Sequence, residues 1–362
     1  MARSSSSHAK TSLPRQQRRH LRPCRSPKKR VDATVLCPGA LQDLSGDQPE
    51  HLPPRMDLPR HAADKTLAVH AGEKLGRCWG TGTDSIVTQV VSGTTHWFKN
   101  SEDLIAFKEG RRHSHEYGRY SNPTVKVLED KISSLERAEA TLVTSCLHPR
   151  QSTFIDLDDM ENLKAVLETN DVSLFYADSP TNPFLKCLDI SAVVELCHRR
   201  GALVCIDSTM ASPINQKPLT LGADIVLHSA TKYMAGHHDV IAGCISGSEA
   251  QISRIRPWHH NLGGTISPNA AYMIIRGLKT MALRVETHNS TALRMARLLE
   301  CHPKIEMVHY PGMNSSPWHQ VARVQMAGYG GVISFETKSD LCGTMRFIDA
   351  LEIPFIDVAW WL

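Results

Sequence analysis

Between Thr141 and Ser248, short runs rich in β-branched residues alternate with segments of helical period, and this alternation limits the fold more than any other feature. The runs are TLVTS, TFIDL, SLFYADSP, ALVCIDST, DIVLHSATKY and DVIAGCISGS, with the helical segments MENLKAVLETN and ISAVVELCHRRG among them. Strands that read as almost continuous apolar stretches are covered on both faces, and a helix that closes at a glycine such as Gly201 supplies a crossover. The pattern predicts an α/β fold on a mostly parallel sheet. Ligands of such sheets gather outside the carboxyl ends of the strands.

Around this centre the chain changes character. VKVLEDKISSLERAEA, after Pro123, has helical spacing with i,i+4 charge partners and predicts an amphipathic helix. From Pro268 a long helical stretch precedes KIEMVHY and GGVISFE, which suggests a smaller α+β domain at 268–362. The large domain is expected at 125–267, and an arm at 65–124.

Residues 1–64 stand apart. Met1 to Val31 holds ten Lys or Arg, six Ser and no Asp or Glu, the composition of an organelle transit segment, here expected to be plastid-directed. A basic arm that binds nucleic acid is the other reading of this segment. The body carries no such signal: the formal charge is +4 over 362 residues, concentrated at the front, and 41% hydrophobic with 22% charged residues is a globular composition. No apolar run approaches the roughly 20 residues that cross a bilayer, so small-molecule partners are expected and neither a membrane nor a nucleic acid is. The ten cysteines form no C-x-x-C pair and read as reduced thiols.

Polar residues stand where the sheet geometry predicts a ligand. VCIDST ends one run with Asp207 and Thr209, SPTNP follows another with Asn182, and HSATK ends a third with Ser229, Thr231 and Lys232. A lone lysine behind a buried strand is ordinarily a surface cation. Beside two hydroxyls that suit a phosphate, and with a strand-end carboxylate in need of a cationic partner, the amine suits bonding to a carbonyl cofactor. His237 and His238 beside Asp239 do not make a metal pair, because adjacent side chains share no face of regular structure. No G-x-G-x-x-G or P-loop string is present.

The stretches AVHAGEKLGR, HEYGRYSNPT, SPTNPFLKCLDI, the run from ELCHRRG to GCISGS, and SPNAAYMIIRG together resemble the pyridoxal-phosphate enzymes of cysteine and methionine metabolism. HHDVIAGCISGS points to the γ-synthase branch over the β-lyases. The resemblance spans about Leu67 to Asp357 and implies the aspartate-aminotransferase-like fold, pyridoxal 5'-phosphate as cofactor, and a dimer-built tetramer. It implies that Lys232 bonds to the cofactor and moves protons, that Asp207 keeps the ring nitrogen protonated, and that Ser229 and Thr231 hold the phosphate. Asn182 would lie near the phenolic oxygen and Thr209 near the ring. Tyr117 and Arg119 would reach a neighbouring subunit's phosphate. The implied reaction replaces the γ-substituent of an O-activated homoserine by cysteine; a β- or γ-lyase is the alternative.

Two departures qualify these expectations. Only CLHPRQS, Cys146 to Ser152, separates TLVTS from TFIDL, whereas parallel strands need a crossover of about a dozen residues or more. The resemblance would place a Ser-Gly-Met phosphate loop, a helix and a ring-stacking tyrosine there, and none has a counterpart. The final VAWWL matches no motif, so the smaller domain is expected to be incomplete. Weak cofactor binding and little turnover are expected, and a non-catalytic chain that only partners an intact subunit is the remaining reading.

Overall fold

The computed structural model describes residues 63–72, 87–145 and 159–353, all within the unit His51–Leu362. The front segment, CLHPRQS, the TFIDL run and VAWWL lie outside the described residues. In chain order the first elements are α1 (Asp64–His70), α2 (Ser101–Lys108), α3 (Pro123–Glu136), β1 (Ala140–Thr144), α4 (Met160–Thr169), β2 (Leu174–Asp178), α5 (Ile190–His198), β3 (Leu203–Asp207) and α6 (Ser212–Asn215). They continue with β4 (Ile225–Ser229), β5 (Gly243–Gly247), α7 (Glu249–Leu262), α8 (Pro268–Glu300), β6 (Ile305–His309), α9 (His319–Gln325), β7 (Ser334–Thr337) and α10 (Leu341–Asp349).

Helix boundaries follow local chemistry. Pro123 opens α3, where its missing N–H leaves no bond unmade, and the Asn122 side chain accepts from the Thr124 and Val125 N–H groups. Asp159 and Asp189 cap α4 and α5 in the same way, while Ser248 and Ser267 cap α7 and α8. Asp64 of α1 receives Arg137 and Lys217, and Lys131 of α3, fully buried, donates to the Val69 carbonyl. These bonds fasten α1 to α3.

The main sheet has the order β1-β5-β4-β3-β2. β2, β3 and β4 are parallel, and β5 runs antiparallel to both β4 and β1. On one face Leu128, Ile132 and Leu135 of α3 and Ile274, Ile275 and Leu278 of α8 pack with Val143 and Cys244. The same face is continued by α4 and α5 over Ala177, Val204 and Ile206. Ile252 of α7 covers the opposite face with Leu142, Cys205, Ile225 and Ile245.

That cover stops before β2. Leu174 and Tyr176 are 49% and 43% exposed, and β2 is an edge strand among the described residues. Strands β1 and β5 are buried at every position, as continuous apolar runs require. β6 and β7 form a separate antiparallel pair whose core includes Ala292, Ala296, Val308 and Tyr310. Among the described residues no helix is long and apolar enough to cross a membrane.

Candidate active site

The parallel strands end together, so their last residues meet. Asp178 is the register partner of Asp207, and the Ser179 N–H donates to the Asp207 carbonyl at 3.0 Å. Thr209 joins β3 to β4. Its N–H and hydroxyl both donate to Asp207 Oδ1, at 2.9 and 2.5 Å, and its Oγ1 accepts the Ser229 N–H at 2.7 Å. A buried threonine thus commits its one hydroxyl proton and one lone pair to fixing the carboxylate and the neighbouring strand end.

Behind Ser229 the chain turns. The Lys232 N–H donates to the Ser229 carbonyl at 3.1 Å, and the Gly236 N–H donates to the Lys232 carbonyl at 2.8 Å. Thr231 is locked to Ala242: its N–H donates to the Ala242 carbonyl at 3.2 Å, and its Oγ1 accepts the Ala242 N–H at 3.0 Å. Gly236 has φ +76°, a backbone conformation that favours glycine, and the Arg284 guanidinium packs where a Cβ would stand. Lys232 therefore leaves a rigid turn beside Ser229 and Thr231.

Asn182 lies in the loop that follows β2, closed by the Thr181 N–H to the Lys186 carbonyl at 3.0 Å. Gln216 Nε2 ties this loop to the one after β3, donating to the Ser179 carbonyl at 2.7 Å and to Ser208 Oγ at 3.1 Å. Asp207, Thr209, Ser229, Thr231 and Lys232 are thus assembled at the ends of β3 and β4, with Asn182 on the adjoining loop.

Tyr117 and Arg119 are not brought to Lys232 within the chain. Tyr117 forms an isolated bridge with Thr95, and the Arg119 guanidinium lies over the Tyr117 and Tyr120 rings, 5.3 and 6.0 Å from their centroids. Arg119 lines a groove with Lys126, Glu129, Arg256, His259 and Thr265, and none of Lys232, Asp207 or Ser229 lines it. His237 and His238 are exposed, and among the described residues no group of three His, Cys, Asp or Glu could hold a metal.

Charge at the strand ends is crowded. Burial, and then the nearby Asp207, push the Asp178 carboxyl up to about 6. Burial, Asp207 and Asp178 raise the Tyr176 phenol, so its hydroxyl stays protonated, 3.5 Å from Asp207 Oδ2. That contact is too long to satisfy the oxygen. Among the described residues no cation pairs with Asp207. An under-satisfied carboxylate, two hydroxyls and an amine match the demands of a basic ring nitrogen, a phosphate and a carbonyl, so the donor set fits pyridoxal phosphate. Sequence reasoning missed Tyr176, Asp178, Gln216 and Tyr233. Asp178 was readable, because SLFYADSP ends in a carboxylate just as VCID does.

The family described as "Cys/Met metabolism PLP-dependent enzyme" matches residues 65–149 and 148–360, two segments that meet within CLHPRQS. Cystathionine gamma-synthase 1, chloroplastic, of Nicotiana tabacum is 50% identical over 332 residues, 81% of this chain and 61% of that protein. The protein of the same description in Arabidopsis thaliana is 50% identical over 333 residues, 82% of this chain and 59% of its own length. The chain thus spans about three fifths of the length of these relatives. Apo CalE6, a methionine gamma lyase from Micromonospora echinospora, superposes with a TM-score of 0.72 at 29% identity, covering 83% of this chain and 85% of CalE6.

Proposed function

The chain belongs to the Cys/Met metabolism PLP-dependent enzyme family, and from that premise we propose that it is a transferase of the cystathionine γ-synthase type. The observation that carries this reading is the assembly of Lys232, Asp207, Ser229 and Thr231 on the joined ends of β3 and β4 through Thr209. Bound pyridoxal phosphate supplies a carbonyl that bonds to amines and a cationic ring that draws electrons from the substrate's carbon skeleton.

Lys232 Nζ would hold that carbonyl and would take and return protons at the substrate's α and β carbons. Asp207, held by Thr209, would pair with the ring nitrogen. Ser229 and Thr231 would hold the phosphate, and Asn182 and Thr209 would lie beside the ring. The substrates are O-phosphohomoserine, or another O-activated homoserine, and cysteine. In the net exchange the γ C–O bond breaks with its electron pair leaving on phosphate, the cysteine thiol's proton passes to that phosphate, and the sulfur closes a C–S bond to give cystathionine.

The arm at 65–124 brings Tyr117 and Arg119 to a neighbouring copy's phosphate, in a dimer-built homotetramer, where a guanidinium fork suits a dianion. The cofactor unit is 125–267, the smaller domain 268–362, and the compartment is the plastid, as the names of the relatives suggest. Cofactor affinity and turnover are low, because the exposed Tyr176, beside Asp207, leaves the β2 side of the site uncovered. That same exposure supports the second reading, a non-catalytic chain that pairs with an intact subunit. The likeness to a methionine gamma lyase supports a lyase alternative.

Incubation with pyridoxal phosphate, borohydride reduction and peptide mass spectrometry test the assignment. Label at Lys232 that Lys232→Ala abolishes is the expected outcome, and a protein that takes up none there removes the reading. Cysteine-dependent cystathionine formation, set against release of pyruvate or 2-oxobutyrate, separates transferase from lyase.

A further inference from the structure

Lys232 is held from within its turn and also from outside it. Tyr233, the next residue, is half-buried, and its hydroxyl accepts the Gly331 N–H at 2.6 Å, a bond that spans 98 positions. Gly331 belongs to the glycine-rich loop between α9 and β7. That loop is itself rigidly held: the Gly330 N–H donates to Asn289 Oδ1 at 2.8 Å, Tyr310 Oη donates to the Gly330 carbonyl at 2.9 Å, and the Ala327 N–H donates to the Asn215 carbonyl at 2.7 Å. Asn215 and Asn289 exchange amide hydrogen bonds at 2.9 Å in both directions.

Gly330 sits between two arms of the site. A Cβ on it would lie 2.8 Å from the Met210 carbonyl oxygen and 3.2 Å from Tyr233 Oη, and its φ is +81°. Met210 directly follows Thr209, which fixes Asp207, while Tyr233 directly follows Lys232. One anchored loop therefore touches both the carboxylate's arm and the amine's arm, and only a residue without a side chain fits there. Amine and carboxylate must grip opposite ends of one rigid ring, so the spacing between their backbones matters more than the freedom of either side chain.

We propose that Tyr233 is a positioning residue for Lys232, and that the loop at 328–331 is the spacer that sets the amine against the Asp207 carboxylate. The inference rests on the reading of Lys232 as the cofactor-bonding amine. Tyr233→Phe keeps the ring and its packing on His288 but leaves the Gly331 N–H without its acceptor.

In Tyr233→Phe the rate of borohydride-trapped labelling of Lys232 by pyridoxal phosphate falls about three- to tenfold, the scale of one lost neutral hydrogen bond, and labelling of exposed lysines is unchanged. Hydrogen exchange, read by peptide without cofactor, quickens in both 230–236 and 328–332 but not in β5. Gly330→Ala, which wedges Met210 from Tyr233, slows the labelling as well. Parental labelling rates in both variants overturn the proposal, as does faster exchange confined to 328–332. A parent chain with no label at Lys232 overturns the underlying reading instead, and the inference falls with it.

Discussion

Asp178 and Asp207 stand level at the ends of neighbouring strands, and their environments make them unequal. Asp207 takes two bonds from Thr209, whereas Asp178 meets burial and a like charge that lift it from 3.8 to about 6. A carboxyl whose folded pKa is raised binds its proton more tightly when folded, so the stability tied to it is greatest below about pH 4, falls as the pH rises through 6, and stays lost above. The shift sets a ceiling of about 3 kcal/mol, which partial solvent exposure reduces to about 1–2 kcal/mol. Asp178→Asn should therefore be more stable than the parent by that amount at pH 7.5 and equal to it near pH 4, as read by urea unfolding at the two pH values. At this scale much of the site was legible: Asp207, Thr209, Ser229, Thr231 and Lys232 end apolar runs, and the strand-end rule finds them together. Tyr233 was not legible, because its partner Gly331 is 98 positions away and nothing local marks either residue.

Among the elements, α8 carries the least visible constraint. Its periodicity reads as an ordinary long helix, and Gly277 within it reads as a weak point of about 1 kcal/mol against alanine. The packing reverses that judgement. A Cβ at 277 would lie 2.3 Å from the Ala235 carbonyl oxygen and 2.5 Å from that of Met234, so glycine lets the helix touch the backbone of the lysine turn. Gly277→Ala should gain helix propensity and still cost about 1–3 kcal/mol through overpacking against backbone that cannot yield; its thermal unfolding temperature should fall, and Lys232 labelling should slow. The direction of β5 was readable in principle. Residues 230–242 join β4 to β5 without the helix that ordinarily carries a parallel crossover, and the strand returns antiparallel. Composition hid this, because DVIAGCISGS is as apolar as its parallel neighbours.

Over the whole molecule the telling feature is the uncovered β2. Among the described residues, an edge strand with exposed Leu174 and Tyr176 offers unpaired backbone and apolar surface together, against a native stability of about 5–15 kcal/mol. The separation of Arg119 from Lys232 carries a prediction about assembly. If each site borrows Arg119 from a neighbour, Lys232→Ala and Arg119→Ala chains each bind pyridoxal phosphate poorly alone, and co-expressed they recover a fraction of sites with parental affinity. Trapped label per chain, measured across mixing ratios, checks this; no recovery in a co-purified mixture removes the shared site. By itself the sequence determined the α/β class, the helix caps and the polar strand ends, because periodicity, capping and strand termination are short-range and written in neighbouring residues. Tertiary structure alone decided which strand lies exposed, that Asp178 is crowded by Asp207, and that one glycine loop spaces the two arms of the site. Those depend on the distance between atoms far apart in the chain, and only packing fixes that distance.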